Sequence, residues 1–461
     1  MEVLQRTANR GSVSTGYDID NSLKLEADNS ERLKSNNTHA ATTATSIKTG
    51  TFSFWVKRTE LGANYMVVSG DSARYSRMFF NSDDKIQLYS GDTSWNSVQP
   101  ITNAVFRDTS AWYHIVLRLD STDGTAANRL RLYVNSEEQT WGTSPNITQD
   151  GVHTLCAFGS PTFHSWGSNL SYFSPSAYFS GYLAEVHYVD GQALAPTEFG
   201  EVDDDSGIWK PKAYGGTYGN CGYYLDFADS GNLGDDESGN GFDFDENNIS
   251  AADQATDTPT NNFATMNVIW GTDRMPLMSE GATEIGNNVN AYRYSPATMG
   301  VANGKWYWEI KPTVNGNTLI SGAGIASNQT TLFFYDVTGN FVYHYDGDRY
   351  VNGTGVSSYG AAWATNNIIG FAYDADNWTL TAYVNNSSQG NLLASQTDIS
   401  SELFIPYVYS FGTHTYQTNF GGYTTMSNTH TNTDANGYGS FCFAPPTGYY
   451  ALCTKNLAEF G

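Results

Sequence analysis

Short stretches in which large apolar residues recur at every second position run through this chain, and they constrain its fold more than any other feature. Residues 51–58 read TFSFWVKR, and Phe52 opens one such series. The same period of two returns in residues 114–120 and 129–135, and the Asp123–Gly124 pair between them is a hairpin signal. A period of two places alternate side chains on opposite faces of a β-strand, whereas a helix requires a period near 3.6. The pattern therefore predicts antiparallel β-structure.

The second half of the chain repeats this pattern in residues 304–312, 321–327, 368–386 and 404–422, and no stretch has the apolar spacing of an amphipathic helix. Aromatic residues make up 14% of the chain, and 45 glycines suit turns between short strands. Because 461 residues exceed what one ordinary core supports, we predict an all-β protein with two antiparallel β-sandwich domains in tandem. The residues predicted to share the core-facing sides of the strands are Phe52, Phe54, Val56, Ile115, Leu117, Leu119, Leu130, Leu132, Val134, Trp306, Trp308, Ile310, Ile369, Phe371, Tyr373, Leu380, Ala382 and Val384.

The charge of the chain argues against several classes of partner. Acidic residues number 47 against 23 basic ones, which gives a net charge of −24. Such a surface repels the phosphate backbone, so we predict no nucleic-acid partner. No stretch reaches the roughly 20 apolar residues of a membrane-spanning helix, and the first residues form no apolar leader, so no membrane insertion is predicted.

The four cysteines are Cys156, Cys221, Cys442 and Cys453. None forms a CxxC pair, which argues against zinc and thioredoxin-type chemistry. We expect free thiols, and a bridge between Cys442 and Cys453 is the alternative.

Four motifs in the first half carry a resemblance to a known family. In order they are TFSFWVKR, AWYHIVLRLD, RLRLYVNSEEQ and YFSGYLAEVHYVDGQAL, and together they resemble a laminin-G-like jelly roll of the concanavalin A type over residues 17–200. In the second half, GKWYWEI, AGIAS, NNIIGFAYDADNWTLTAYVNN and FIPYVYSF are similar to the SPRY family, another concanavalin-like sandwich. The implied organisation is an N-terminal arm in residues 1–16, a linker with one strand and an acidic Gly/Asp loop in residues 201–264, and a SPRY-like domain with a C-terminal hairpin in residues 265–461. The strand that begins near Phe179 is expected to close the first sandwich.

The pairing of these two modules resembles structural proteins of tailed bacteriophages, particularly marine ones. The resemblance implies a part of the virion, a tail fibre or another surface appendage, that is assembled in the host cytoplasm and exposed on the virion surface. It implies other virion proteins and host surface glycans as partners, and by analogy a homotrimer. A purely architectural capsid decoration or head-fibre protein is one alternative, and a polysaccharide-degrading enzyme is a second.

Signatures of catalysis are weak. The sequence contains no GxSxG nucleophile elbow and no HExxH zinc motif. A glycosidase needs two carboxylates facing one groove, and Glu185 and Glu309, each on a strand, are candidates on the basis of position alone. Neither has a second carboxylate at the ExxxE spacing, so we expect each to pair with an arginine or tyrosine at the sheet surface. The protein is therefore predicted not to be an enzyme.

One loop, residues 226–240, is rich in oxygen ligands of the kind that calcium prefers. Its candidate calcium ligands are Asp229, Asp235, Asp236 and Asn240. The alternative is a turn in which Asp, Asn and Gly residues bond to nearby backbone groups. No cofactor is predicted to be required, and Ca²⁺ is a possible one.

Loops that combine tyrosine or tryptophan with acidic residues suit the binding of glycans or proteins, because rings stack on sugar faces and carboxylates accept bonds from hydroxyl groups. The candidate ligand-binding residues are Asp346, Asp348, Arg349 and Tyr350 in the second half and Asp71, Arg74, Tyr75 and Trp95 in the first. Tyr343 and Tyr345, at strand spacing, are instead expected to fill a sheet face.

Overall fold

The computed structural model describes residues 16–35, 43–70, 75–90, 99–156, 162–171, 174–204, 206–269, 275–315, 320–327, 338–394 and 403–461. These residues form two compact units, Gly16–Thr260 and Asn261–Gly461. The regular structure is almost entirely antiparallel β-sheet, which confirms the predicted all-β fold with tandem sandwiches. No helix in the described ranges is long and apolar enough to cross a membrane. The predicted N-terminal arm lies outside them, apart from Gly16.

The first unit is built from two eight-stranded sheets and two short pairs of strands. Its strands are β1 Ser22–Leu25, β2 Arg32–Ser35, β3 Thr49–Arg58, β4 Asn64–Gly70, β5 Tyr75–Phe80, β6 Ile86–Ser90, β7 Ile101–Thr102, β8 Trp112–Asp120, β9 Leu130–Val134, β10 Glu137–Glu138, β11 Trp141–Thr143, β12 Phe163–Trp166, β13 Ser168–Ser171, β14 Ser174–Tyr178, β15 Gly181–Asp190, β16 Gly200–Val202, β17 Trp209–Pro211, β18 Tyr223–Leu225, β19 Phe244–Asn247 and β20 Gln254–Ala255. Single turns of 3-10 helix occur at Ala126–Asn128, Thr154–Cys156, Pro196–Glu198 and Ala251–Asp253.

We call the sheet of order β10-β9-β8-β3-β15-β1-β20 the front sheet, in which β18 also pairs with β15. The back sheet has the order β11-β7-β6-β5-β4-β12-β2-β19. All nine core-facing residues predicted for this unit lie in the hydrophobic core. The period of two therefore identified the core side of β3, β8 and β9.

The opposite face of the front sheet is buried along β3 as well. On β3, Ser53, Trp55 and Lys57 are only 1%, 5% and 0% exposed. Part of the cover is residues 194–204 and 206–218, which we call the covering segment. Its aromatic residues, Phe199 among them, pack on this face of the sheet. Strand β15, expected to close the sandwich, is instead an interior strand of the front sheet, between β3 on one side and β1 and β18 on the other.

The predicted linker, residues 201–264, is wrong for most of its length. Strand β18 pairs with β15, β19 pairs with β2, and β20 pairs with β1, so residues up to Thr260 belong to the first unit. Tyr223, Leu225 and Phe244 are part of its core. The three strands are two to four residues long, too short to show a clear period, and their partners lie far away in sequence.

The second unit contains an eight-stranded and a six-stranded sheet. Its elements are β21 Leu277–Ser279, β22 Glu284–Asn287, β23 Tyr292–Pro296, β24 Lys305–Asn315, β25 Ile320–Ser327, β26 Asn340–His344, β27 Arg349–Val351, β28 Thr354–Val356, β29 Ile369–Asp374, β30 Thr379–Val384, β31 Ser387–Ala394, β32 Phe404–Phe411, β33 His414–Asn419, β34 Tyr450–Ala451 and α1 Thr454–Phe460. The eight-stranded sheet has the order β21-β22-β33-β24-β29-β30-β31 with β34 alongside β24, and the six-stranded sheet has the order β23-β32-β25-β26-β27-β28. The nine predicted core-facing residues of this unit all lie in its main core.

The predicted C-terminal hairpin is wrong. Strand β34 pairs in parallel with β24, opposite Trp306 and Tyr307, and the short helix α1 follows it. Pro445 and Pro446 precede β34 and supply no backbone N–H donor, which a hairpin strand would need. All four cysteines are free thiols in this structure.

Candidate functional site

Two of the predicted recognition residues, Asp346 and Asp348, lie in a tight turn between β26 and β27 at one edge of the six-stranded sheet. The Gly347 N–H donates to the carbonyl oxygen of His344 at 3.1 Å, and the His344 N–H donates to that of Asp348 at 2.9 Å. Gly347 has a φ of +97°, and a Cβ there would lie 2.5 Å from the carbonyl oxygen of Gly360. Only glycine fits this position without strain. The outermost strand, β28, is exposed along its whole length.

Asp346 and Asp348, which we call the edge carboxylate pair, each use one oxygen to hold this turn. Oδ1 of Asp346 lies 2.7 Å from Nδ1 of His344 and accepts the Asp348 N–H at 3.0 Å. Oδ1 of Asp348 accepts the Ser358 N–H at 2.8 Å. Across the described part of the chain, neither Oδ2 atom has a hydrogen-bond partner, so both can accept bonds from a ligand.

The structure gives Arg349, predicted to bind ligand, an internal role. Its Nη1 donates to the carbonyl oxygens of Asn391 at 2.7 Å and Leu392 at 3.3 Å. Its guanidinium carbon lies 5.3 Å from the ring centroid of Tyr359, whose hydroxyl donates to the carbonyl oxygen of Gly390 at 2.6 Å. Arg349 therefore ties the hairpin that carries the edge carboxylate pair to β31.

The tyrosines near this turn differ in exposure. Tyr343 is fully buried in the core, as expected, and its hydroxyl donates to the carbonyl oxygen of Ala361. Tyr345 is half-buried against the same core. Tyr350, predicted to bind ligand, is half-buried, and its ring packs edge-on against His344 at 5.6 Å. The polar surface of this edge thus comes mainly from the carboxylates.

Three of the four recognition residues predicted in the first unit, Asp71, Arg74 and Trp95, lie outside the described residues. The fourth, Tyr75, begins β5 on the outer face of the back sheet, and its ring stacks on Tyr89 of β6 at 5.3 Å.

Sequence reasoning missed the neighbours of Tyr75. Residues 75–80 read YSRMFF, and the period of two places Arg77 and Phe79 on the same face as Tyr75. The alternate residues Met78 and Phe80 are in the core. The rule that identified β3 would have revealed this group had it been applied to residues 75–80.

Three of the four predicted calcium ligands bond through their side chains to nearby backbone groups. Asp236 is buried, and its carboxylate accepts three backbone N–H groups. The side-chain amide of Asn240 donates to two backbone carbonyl groups, and Asp229 accepts one backbone N–H. Burial and two neighbouring carboxylates raise the pKa of Asp235. Within the described ranges, no group of three or more His, Cys, Asp or Glu residues could hold a metal ion. The geometry therefore favours the turn over the calcium site.

Glu185 lies at a bulge between β15 and β3, with a φ of +50° that is uncommon for a glutamate. Its carboxylate accepts the hydroxyl groups of Tyr17 at 2.8 Å and Tyr224 at 2.7 Å. Burial, with the Glu185 carboxylate as a second cause, raises the pKa of Tyr17. The expected tyrosine partners are thus present, but the site is 5% exposed and not at the sheet surface.

Glu309 is also buried, on β24 in the second unit. Its Oε1 accepts the Tyr307 hydroxyl and the Phe443 N–H, and its Oε2 accepts the Asn419 amide and the Cys442 N–H. Burial raises its pKa. This carboxylate joins β24 to the C-terminal segment, by which we mean the residues from Cys442 onward, and neither of its oxygens faces an open groove.

Ser53 and His114 form a pair that resembles a nucleophile and its base, since the Ser53 Oγ lies 2.9 Å from His114 Nε2. Trp209, which can only donate, gives its Nε1 proton to His114 Nδ1 at 2.9 Å. The neutral imidazole must therefore carry its proton on Nε2 and donate it to Ser53. A ring in this tautomer cannot take the serine proton, so the pair is structural.

Loss of stability in mild acid is expected from His114. Burial, followed by the nearby His187, lowers its pKa from 6.5 to about 3. Between these two pKa values the imidazole is protonated in the unfolded chain and neutral in the folded protein. The free energy of unfolding therefore decreases as pH falls below 6.5, by about 2 kcal/mol at pH 5. Denaturant unfolding of the wild type and His114→Phe at pH 7 and pH 5 checks this contribution. The wild type should lose more stability than the variant between the two pH values, and equal losses would contradict it.

A laminin-G family model, described as the concanavalin A-like lectin/glucanases superfamily, matches residues 32–198. The match lies inside the first unit and agrees with the laminin-G-like resemblance of residues 17–200. This part of the chain is thus similar to a lectin-type sandwich, a class that suggests carbohydrate or protein binding. No curated protein matches the chain.

Several solved structures are similar to the chain. The SPRY domain of human HERC1 is 16% identical, covers 30% of this chain and 89% of its own, and has a TM-score of 0.27. A heptameric SAP-like pentraxin from Limulus polyphemus is 16% identical, covers 39% of this chain and 80% of its own, and has a TM-score of 0.29. A human SPRY domain is 13% identical, with coverages of 32% and 94% and a TM-score of 0.26. SPRY domains are thus among the structural neighbours, and nothing about a ligand follows from them.

Proposed function

We propose that this protein is a non-catalytic binding protein on the virion surface of a tailed bacteriophage, where it contacts host envelope glycans through sandwich-edge loops. The observation that carries the binding role is the edge carboxylate pair. Asp346 and Asp348 each present one carboxylate oxygen that has no partner among the described residues, beside an exposed strand, β28. Carboxylate oxygens in fixed positions accept hydrogen bonds from sugar hydroxyl groups, and such bonds to a charged acceptor are stronger than neutral ones.

Two further observations support this proposal. Gly347 and Arg349 hold the hairpin rigidly, so that ordering the loop costs little when a ligand binds. The similarity of residues 32–198 to lectin-type sandwiches is compatible with carbohydrate binding elsewhere in the chain. The virion setting, the assembly in the host cytoplasm and the homotrimer come from the resemblance to phage structural proteins. In that setting, several weak sites on one particle would bind the host surface together and give a higher overall affinity than one site alone.

We propose a non-catalytic role because both candidate catalytic glutamates are buried. Glu185 and Glu309 accept tyrosine hydroxyl groups and backbone N–H groups within their own units. Release of reducing sugar from host polysaccharide by the purified protein would overturn this part of the proposal.

The test of the binding role compares the wild type with the double variant Asp346→Asn and Asp348→Asn on an array of bacterial surface polysaccharides. We expect the double variant to bind at least about tenfold more weakly, because each bond to a charged acceptor contributes on the order of 1.5–3 kcal/mol. Asp376→Asn is the matched control, since Asp376 is an exposed turn aspartate of the same unit that accepts one backbone N–H. Unchanged binding in the double variant, or no binding of any glycan or host cell by the wild type, would refute the role.

The exposed edge strand β28 favours a second candidate function, contact with a neighbouring virion protein. Edge strands carry unpaired backbone groups to which a strand of another chain can bond. An architectural role predicts that the double variant is incorporated into particles at the wild-type copy number and that the wild type binds no glycan. Electron microscopy of the particles, together with the array, separates the two functions.

A further inference from the structure

Arg77 lies at the centre of a ring of aromatic side chains on the outer face of the back sheet. Its guanidinium carbon is 4.7 Å from the ring centroid of Tyr89, 5.1 Å from Phe79, 5.2 Å from Tyr65 and 5.7 Å from Tyr75. The rings themselves stack in pairs, Tyr65 on Phe79 at 4.8 Å and Tyr75 on Tyr89 at 5.3 Å. We call these five residues the Arg77 platform.

Strand register builds the platform. On β5, Tyr75, Arg77 and Phe79 point to the outer face, Tyr89 of β6 lies opposite Arg77, and Tyr65 of β4 lies opposite Phe79. Four of the five side chains are half-buried, and Phe79 alone is buried. Neighbouring strands thus hold the rings in place, and the platform reaches the surface of the first unit.

Arg77 has no anionic or hydrogen-bonding partner among the residues that the structure describes, and its Nε is buried without one. The other eight described arginines each donate at least one hydrogen bond. Aromatic faces attract the cation but do not satisfy its five N–H donors. In a chain with 47 acidic residues, an arginine with no carboxylate beside it has capacity for an external anion.

We infer that the Arg77 platform binds a carboxylate-bearing sugar, such as a hexuronate unit of an acidic polysaccharide. The planar guanidinium can bond both oxygens of a carboxylate, and the tyrosine rings can stack on the face of the pyranose. A net charge of −24 repels an acidic polymer at long range. The preference for a carboxylate-bearing sugar therefore has to come from short-range bonds to the Arg77 guanidinium. The inference goes beyond the proposed function, because it assigns a second site, in the other unit, to a defined class of sugar.

Calorimetric titration of the intact protein with hexagalacturonate, and with its fully methyl-esterified form, tests the inference. The two ligands share the same sugar chain, but the ester carries a methyl group in place of each carboxylate charge, so the acid should bind at least tenfold more tightly than the ester. Arg77→Gln should remove this preference and weaken binding of the acid at least tenfold. Tyr89→Leu should weaken binding of both ligands, because it removes a stacking ring. Arg131→Gln, at a partly exposed arginine of the same unit paired with Glu138, is the charge-matched control and should bind as the wild type does.

Equal affinity for acid and ester, no binding of either by the wild type, or wild-type binding by Arg77→Gln would each overturn the inference. If Arg77→Gln lowers the melting temperature, Arg77→Lys is used in its place. This variant keeps a cation over the rings but cannot bond both carboxylate oxygens as the planar guanidinium can, so it should bind the acid at least threefold more weakly. The edge variant Asp346→Asn with Asp348→Asn should retain binding of hexagalacturonate, and Arg77→Gln should retain binding at the edge carboxylate pair. Failure of one site is therefore distinguishable from failure of the other.

Discussion

Asp257→Ala is expected to lower the free energy of unfolding of the first unit by roughly 3–5 kcal/mol. Its Oδ2 lies 2.7 Å from Nζ of Lys57, and the two side chains are 1% and 0% exposed. Its Oδ1 accepts the indole N–H of Trp112 at 3.0 Å. Removing the carboxylate takes away the anion that contacts the buried Lys57 cation and the acceptor of the buried Trp112 indole N–H. Denaturant unfolding of the intact chain, followed by tryptophan fluorescence, measures the loss.

Asp150→Ala is the matched control, because it breaks another long-range Lys–Asp pair, Lys48–Asp150, at the surface. The atoms are 3.2 Å apart, but the side chains are 37% and 61% exposed, so we expect a loss of less than about 1 kcal/mol. The double variant Lys57→Met with Asp257→Leu should recover most of the stability, because neither charge of this buried pair remains. Equal losses in Asp257→Ala and Asp150→Ala would show that burial of the pair does not matter.

Glu309→Leu is expected to destabilise the second unit by at least about 3 kcal/mol, because it leaves two buried and two half-buried donors without their acceptor. These donors are the Tyr307 hydroxyl, the Asn419 amide and the N–H groups of Cys442 and Phe443. Denaturant unfolding measures the change. Residues 442 and 443 lose their hydrogen bonds to β24, so the effect should be greatest there.

Thiol labelling reports on this segment directly. Burial, with the Glu309 carboxylate as a further cause, raises the pKa of the Cys442 thiol to about 12. At pH 8 the wild-type thiol should therefore react slowly, and Glu309→Leu should accelerate its labelling at least tenfold. Glu284→Leu is the control, because Glu284 is half-buried and accepts a side-chain bond from Gln417. Labelling at the wild-type rate in Glu309→Leu would contradict the attachment of residues 442–443.

The period of two predicted which residues face each core, because the alternation of side chains is a local property of the extended backbone. It did not predict that Trp55 and Lys57 on the opposite face of β3 are buried too. Their cover includes the covering segment, which lies more than 130 residues later in the chain. For the same reason, residues 201–260 were interpreted as a linker, although their short strands complete both sheets of the first unit.

The candidate sites show the same division. The composition of the loop around Asp346 and Asp348 indicated a recognition surface, and within the described ranges one oxygen of each carboxylate has no hydrogen-bond donor. The sequence did not distinguish Arg349, whose Nη1 donates to two carbonyl oxygens, from Arg77, which donates no hydrogen bond to any residue that the structure describes. An arginine has the same donors in every sequence, and only its folded neighbours decide whether they are satisfied.

By itself, the sequence determined the all-β class, the two sandwiches, the core-facing residues and the acidic surface. Each of these follows from local periodicity or from composition, which act over a few residues or over the whole chain. Only the tertiary structure decided which strands pair and which charges are neutralised. Lys57 and Asp257 are 200 residues apart, and no local pattern encodes their contact. The burial that makes such a pair matter arises when distant segments exclude water together.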